Sequence, residues 1–580
     1  MAVVAAPTAT RGLYGVTLNV KTRTPSAAAV ATLSAAGVHP LLARIYAARG
    51  ITSPQQLATD TGGLVPLDRM HNIERMATIL ADAIGAQQRL LIVADYDSDG
   101  ATACAVGMRA LRAFGAVVDY LVPNRFEYGY GLTPEIVELA KREKHPDLLI
   151  TVDNGIASVD GVATANRLGM RVLITDHHLP GDKLPDALCI INPNQAGCGF
   201  PSKNLAGVGV MFYLMLALRA ELRKRGAFQD RNEPNLSALL DLVALGTVAD
   251  VVKLDDNNRI LVQQGVQRMR SGKTWSGIAA LMRIADRKLA KTSTYDLGFV
   301  LGPRLNAAGR LNDMALGIEC LITDDAGTAE RCARELDRMN RERRSIETDM
   351  HADALAILDQ LPATDNYSLS LFDSSWHQGV IGILASRIRE RLHRPVIAFA
   401  PGSNGEIKGS GRSITALHLR DALDLVEKRN PGLLLKFGGH AAAAGLTLRA
   451  EDFARFRDAF EATAQALLSP ADLERVIETD GALALEYLTL DTAVLLEQVV
   501  WGQGFAAPTF DDELTIVQQR VVGERHLKLR IAKDNRECQA MLFSHAEPLP
   551  PRVRAVYRMA VNEFNGARTL QLTIEHWQPV

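Results

Sequence analysis

The chain has 580 residues, a formal net charge of −2, 47% apolar and 22% charged residues, and six cysteines. That length exceeds what one hydrophobic core supports and implies roughly three or four domains of ordinary globular composition. Near-neutrality excludes nucleic-acid binding through global basicity, so any such binding must come from local patches. No uninterrupted apolar run approaches the roughly 20 residues that span a bilayer, so no membrane association is expected. Scattered cysteines without a CxxC pair point to a reducing cytoplasm and away from a disulfide or zinc framework.

In chain order, MAVVAAPTATRGLYG lacks the basic-then-apolar layout of a signal peptide and is expected to be a loose arm, part of a lead-in over residues 1–60. A first domain is expected over residues 61–322, and within it residues from about 88 to 250 alternate apolar strand-like runs with helical segments: LLIVA (90–94), VVDYLVP (117–123), LLITV (148–152), RVLIT (171–175) and LCIIN (188–192). Such alternation predicts a parallel sheet covered on both faces, with ligands beyond the carboxyl ends of its strands. A helix-rich stretch follows from 203 to 320. Residues 323–360 carry Cys332, Leu336, Met339, Ile346, Met350 and Ile357 at helical spacing, interrupted by Arg343. This predicts one connecting amphipathic helix of roughly 50 Å. A second, smaller α/β domain is expected over 361–465, and period-2 strands over 466–580 suggest a C-terminal barrel of the OB type.

The text after each strand of the first sheet carries the chemistry. LLIVA is followed by DYDSDG, LLITV by DNG and RVLIT by DHH, which collects acidic groups at one sheet edge. Crowded like charges need a compensating cation, and hard divalent ions take carboxylate oxygens and, for Mn²⁺, imidazole nitrogen. If the DxD backbone is extended, Asp97 and Asp99 point the same way and give each of two ions one ligand. Asp153 could reach both ions, His177 adds a neutral nitrogen, and Asp250 in TVADVV closes the set. Asp95 could brace the loop, and Asp176 could orient a histidine from behind. An EF-hand loop is disfavoured, because a strand precedes it and position twelve from Asp95 is Val106.

Strand–DxDxDG, DNG, DHH and a further Asp together resemble the DHH phosphoesterases. VADYDSDGATA, NRFEYGYGL, TVDNGI, ITDHH, GTVADVV, LGPRLNAAGRL, WHQGVIGILASR and GGHAAAAG, in that order, are similar within that group to the RecJ family of single-strand-specific 5′→3′ DNA exonucleases. The resemblance spans about residues 85–450. It implies an α/β protein: a parallel-sheet DHH catalytic domain, the connecting helix, a DHH-associated domain and an OB-like barrel. It also implies two divalent ions, Mn²⁺ or Mg²⁺, held by Asp97, Asp99, Asp153, His177 and Asp250, with Asp153 bridging and Asp95 at or beside the ions. His178 would face the scissile phosphate, and water activated at the ions would attack phosphorus to release 5′-mononucleotides.

By the same resemblance, Ser410, Arg412 and Arg310 would hold a terminal 5′-phosphate, with Arg304 and Ser413 as neighbouring donors and His440 near the DNA backbone. Trp376 and His377 could line the DNA path, Trp376 equally being core. Single-stranded DNA is the implied substrate, in DNA repair and recombination, with single-strand-binding protein and a DNA helicase as family-level partners of a monomer. Two alternatives stand beside this reading: a DHH phosphoesterase acting on small nucleotides or short oligonucleotides, and a non-catalytic single-strand-binding scaffold.

Overall fold

The computed structural model describes residues 18–122, 128, 131–311, 313–360, 366–564 and 566–580. The expected N-terminal arm and most of NRFEYGYGL lie outside them. A short strand, β1 (Leu18–Thr22), opens the described chain. The first domain is built on β2 (Arg89–Ala94), α1 (Ser98–Phe114), β3 (Val117–Leu121), β4 (Leu148–Val152), β5 (Arg171–Thr175) and β6 (Cys189–Ile191). The strands are parallel, in the order β3-β2-β4-β5-β6. Every residue of β4 is buried, as the unbroken run LLITV requires of a strand covered on both faces. Because the chain steps from β2 to β3 and then crosses back to β4, the connections diverge at the β2–β4 boundary. A crevice forms there, beyond the carboxyl ends of the strands.

Helices α2 (Gly207–Lys224) and α3 (Leu240–Ala249) pack against α1 and share its continuous core. After α4 (Gly302–Leu311) comes the 35-residue α5 (Ala326–Gln360). Cys332, Leu336, Met339 and Met350 are buried along it. Arg343 interrupts the apolar stripe yet is buried as well, because Nη1 meets Glu347 Oε2 at 2.9 Å and Nη2 donates to Asn340 Oδ1 at 3.1 Å.

The second domain contains β7 (Leu369–Phe372), α6 (Ile381–Leu392), β8 (Val396–Pro401), β9 (Glu406–Arg412), β10 (Lys436–Gly439) and β11 (Ala443–Arg449). Its sheet runs β10-β11-β9-β8-β7, with only β7–β8 parallel. Glu347 of α5 also accepts from Arg387 Nε of α6 at 3.1 Å, which fastens the helix to this domain.

Strand β12 (Arg475–Thr479) returns to pair in parallel with β1. The chain ends in a closed barrel of β13 (Phe510–Val522), β14 (His526–Lys533), β15 (Arg536–Leu542), β16 (Arg552–Phe564) and β17 (Ala567–Pro579), ordered β13-β14-β15-β17-β16. Five strands closed in this way form the OB architecture. Of the tail aromatics, Phe505, Phe510 and Tyr557 are buried, whereas Phe543 and Phe564 are exposed. Among the described residues, no helix is long and apolar enough to cross a membrane.

The barrel's lead-in is anchored to the N-terminal helices by a buried bidentate pair. Arg49 Nη1 and Nη2 meet Asp480 Oδ1 and Oδ2 at 2.7 and 3.0 Å, with both side chains almost fully covered. Asp480→Ala would strand the guanidinium and is expected to cost about 3–5 kcal/mol. A denaturant midpoint equal to that of the parent protein would contradict this.

Candidate active site

The DxDxD segment is not extended throughout, which corrects the expectation from sequence. Asp97 has extended backbone and caps α1, its Oδ1 accepting from the amides of Asp99 (2.9 Å) and Gly100 (3.0 Å). Asp99 already sits in the first helical turn, so the two carboxylates serve different neighbours. Asp99 Oδ2 and Oδ1 accept from the first amides of α2, Gly207 (2.7 Å) and Val208 (2.9 Å), where the helix dipole favours an anion.

The LGPRLNAAGRL helix α4 braces the loop from behind. Asn306 Oδ1 accepts from the Ser98 amide (2.7 Å) and hydroxyl (2.9 Å), and any side chain at Gly309 would collide with the Tyr96 carbonyl. Sequence reasoning valued this motif for its arginines and missed Asn306; its close repetition of small residues beside Asn was the available signal.

Asp153, directly after β4, has φ of 62°, a left-handed backbone uncommon outside glycine that signals local strain. A Cβ at Gly207 would stand 2.5 Å from Asp153 Oδ1, so only glycine lets α2 approach this carboxylate. The INPN segment after β6, which the motif reading passed over, holds the DHH turn. Asn194 Nδ2 donates to the His177 carbonyl at 2.6 Å and Asn192 Nδ2 to that of His178 at 2.9 Å.

His177 Nε2 lies 3.1 Å from Asp153 Oδ1, 3.6 Å from Asp250 Oδ2 and 3.9 Å from Asp99 Oδ2. Three overlapping sets each bring their ligand atoms within 4.8 Å of one another: Asp95, Asp97 and Asp153; Asp99, His177 and Asp250; and Asp153, His177 and His178. Asp153 belongs to two of them.

Burial and mutual repulsion dominate the electrostatics. Burial, then the charge of Asp97, pushes Asp99 up to about 7, and burial with the neighbouring carboxylates raises Asp153 and Asp250 well above the usual range. Burial, then the charge of His178, drops His177 to about 4, leaving it neutral. Asp153 Oδ1 and His177 Nε2 are buried without a hydrogen-bond partner among the described residues. Carboxylates raised by burial and mutual repulsion, facing a neutral imidazole, fit two hard divalent cations, Mn²⁺ or Mg²⁺.

His178 differs from His177. Burial would lower it, but the hydrogen bond from Nδ1 to Asp176 Oδ1 at 2.7 Å and the nearby negative charges carry it up to about 9. Asp176 therefore orients His178 rather than His177. It also accepts from the amides of Ile156, His177 and His178.

The second domain forms the facing wall. The His440 ring lies nearly parallel to that of His178, centroids 6.3 Å apart. On β9, Arg412 Nη1 donates to Ser410 Oγ (3.1 Å) and the Gly411 carbonyl (2.8 Å), and both side chains lie against Gly382 in the first turn of α6. No carboxylate among the described residues lies within ion-pair distance of Arg412, and burial and Arg389 lower its pKa. A half-buried guanidinium beside a helix N-terminus is an arrangement that suits an anion. Arg310 Nη1 donates to the Gly379 carbonyl at 3.1 Å, joining α4 to the loop before α6. His377 is exposed on that loop.

Three proposed DNA contacts do not reach the cleft. Trp376 is core, packed among Leu371, Val380 and Leu384. Arg304 is buried and committed to Asp337 (2.9 Å) and the Val300 carbonyl (2.7 Å). Ser413 is buried and donates to the Leu417 carbonyl at 2.7 Å, shaping a turn.

A parallel sheet with this carboxylate–histidine edge, closed over by a mixed-sheet domain, defines a metal-dependent phosphoesterase of the DHH class. Family models agree: the DHH family N-terminal domain matches residues 89–247, the DHHA1 domain 365–466 and the RecJ OB domain 479–576. The chain is 50% identical over 554 residues to the single-stranded-DNA-specific exonuclease RecJ of Dickeya dadantii (strain 3937), covering 93% of this chain and 96% of that one. It is 48% identical over 555 residues to RecJ of Escherichia coli (strain K12), with coverage of 93% and 96%. Among solved structures, RecJ of Thermus thermophilus in complex with Mn²⁺ matches with a TM-score of 0.81 at 28% identity, covering 97% of this chain and 80% of that one. The chain belongs to the RecJ family.

The raised carboxylates have a measurable consequence. Asp99 titrates at about 7 in the metal-free fold against an ordinary 3.8, so the fold binds more protons than the unfolded chain between these values. The metal-free protein therefore loses stability as pH rises through that window. Bound cations replace those protons, so the gain in melting temperature on adding Mn²⁺ should be small near pH 5 and grow up to pH about 7. A gain independent of pH in a thermal-shift series would contradict the clustered carboxylates.

Proposed function

We propose that this protein is a single-strand-specific DNA exonuclease that works from the 5′ end and releases 5′-mononucleotides. The observation that carries the reading is the cleft itself: a carboxylate–histidine edge on one domain faces an anion cradle of Arg412, Ser410 and the α6 N-terminus on the other. Asp95, Asp97 and Asp153 would hold one divalent ion; Asp99, His177 and Asp250, sharing Asp153, would hold the second. When bound, the pair supplies Lewis-acid activation of water and neutralises charge building at phosphorus.

The chain's own groups do the rest. Arg412, Ser410 and the α6 amides hold the terminal phosphate, and Arg310 fixes the loop that carries this cradle against the metal-bearing domain. In this reading the cradle sets where the terminal nucleotide sits relative to the metal centre. His178, held by Asp176, whose hydrogen bond favours its protonated form, offsets negative charge on the scissile phosphate or gives a proton to the leaving oxygen. His440 and His377 flank the DNA backbone. Selectivity for single strands follows from threading the chain between two domains, with the barrel extending the path. Within this reading the enzyme is a cytoplasmic monomer serving DNA repair and recombination, with single-strand-binding protein and a DNA helicase as partners.

Single-stranded DNA labelled at either end, incubated with Mn²⁺ or Mg²⁺ beside duplex DNA and short RNA, tests the activity. Immediate release of 5′-terminal mononucleotides from single strands is expected. Cleavage confined to oligomers of a few nucleotides would favour a small-nucleotide phosphoesterase instead, and binding without cleavage a scaffold. Asp153→Ala should reduce cleavage to background while the protein stays folded.

Arg412→Ala should cut the preference for 5′-phosphate over 5′-hydroxyl ends by about tenfold or more, the loss of one charge-assisted contact; an undiminished preference refutes the cradle. Asp176→Asn should lower kcat more than it raises KM. It should also bring the alkaline loss of activity to lower pH, since the Asp176 hydrogen bond that raises His178 would be weakened. An unmoved alkaline limb would refute that pairing.

A further inference from the structure

We infer that Tyr295 and Phe299 form a base-stacking platform for the single strand between the barrel and the metal centre, an inference that rests on the exonuclease reading. Among the described residues only four phenylalanine, tyrosine or tryptophan side chains are exposed: Tyr295, Phe299, Phe543 and Phe564. A lone exposed apolar residue needs no explanation, but Tyr295 and Phe299 are 58% and 66% exposed and stack on each other, centroids 5.2 Å apart at 24°. Two rings so arranged hide little surface from water and present a broad π-face to it.

Their position points to an occupant. The π-helical turn Asp296–Leu301 that carries Phe299 packs along the end of α3, Gly298 against Val248 and Gly302 against Ala249. The next residue of that helix end is Asp250, in the metal cluster. On the other side, Thr294 donates to the Trp501 carbonyl at 2.7 Å on the barrel's lead-in, and Lys291 pairs with Glu563 of β16. The stacked pair therefore lies between the metal-bearing helix end and the barrel.

The charge of the surroundings suits a polyanion. The Arg287 guanidinium lies 5.9 Å from the Tyr295 centroid; Arg287 pairs with Asp296 at 3.4 Å, and Lys288 and Lys291 both pair with Glu563, so these exposed cations outnumber the carboxylates they meet by one. Aromatic faces for bases flanked by cations for phosphates are what sequence-independent single-strand binding uses.

The test measures KM of the full chain with Mn²⁺ on three substrates: a long 5′-phosphorylated single strand, the same strand made abasic beyond its first few nucleotides, and a 5′-phosphorylated dinucleotide. Tyr295→Ala with Phe299→Ala should raise KM on the long strand about tenfold, the worth of one stacked base. The increase should shrink on the abasic strand and on the dinucleotide, and exchanging the two aromatics (Tyr295→Phe with Phe299→Tyr) should restore the parent KM. An unchanged KM on the long strand, or an equal rise on all three substrates, overturns the platform while leaving the exonuclease reading intact. A parent protein that degrades no single strand brings down both.

Discussion

The structure turns on one electrostatic conflict: several carboxylates are buried within a few ångströms of one another at the edge of a parallel sheet. Burial and their mutual repulsion together raise Asp99, Asp153 and Asp250 above the usual carboxylate range. The fold meets part of the repulsion with backbone amides, two on Asp97 and two from α2 on Asp99. The remainder is left for cations. A site assembled this way is tense when empty and relaxed when loaded, so metal occupancy and local order are coupled.

Much of the surrounding architecture exists to keep that crowding possible. Gly207 lets a helix end reach Asp153, Gly309 lets α4 lie flush on the aspartate loop, and two asparagines after β6 grip the carbonyls of the DHH turn. Asp153 itself sits in a left-handed backbone conformation that is uncommon outside glycine. Across the cleft the opposite problem appears, since Arg412 is half-buried beside another arginine. One wall is crowded with carboxylates, the other carries an arginine that no carboxylate among the described residues pairs with, and a phosphate chain with its metal ions answers both.

The sheet and the acidic edge were legible because buried parallel strands read as unbroken apolar runs and because ligands gather where such strands end. The long helix was legible from its spacing, although Arg343 looked like an interruption and is buried through its bonds to Glu347 and Asn340. The sequence was a poorer guide wherever a residue's role depends on partners far along the chain. Arg304 and Ser413 sit in the right motifs but spend their donors on Asp337 and on the carbonyls of Val300 and Leu417, and Trp376 faces the core. The local geometry of Asp97 and Asp99 also escaped, because an extended strand and a helix cap are written with the same residues.

The 35-residue α5 makes the relation between the two walls a matter of phase. Each residue of an α-helix advances about 1.5 Å and turns about 100°. A single insertion upstream of Arg343 would therefore turn Glu347, and through Arg387 the far domain, out of register with the near one. Substitutions on the exposed face of this helix should drift freely during evolution, whereas its residue count should be as tightly kept as any aspartate in the cleft.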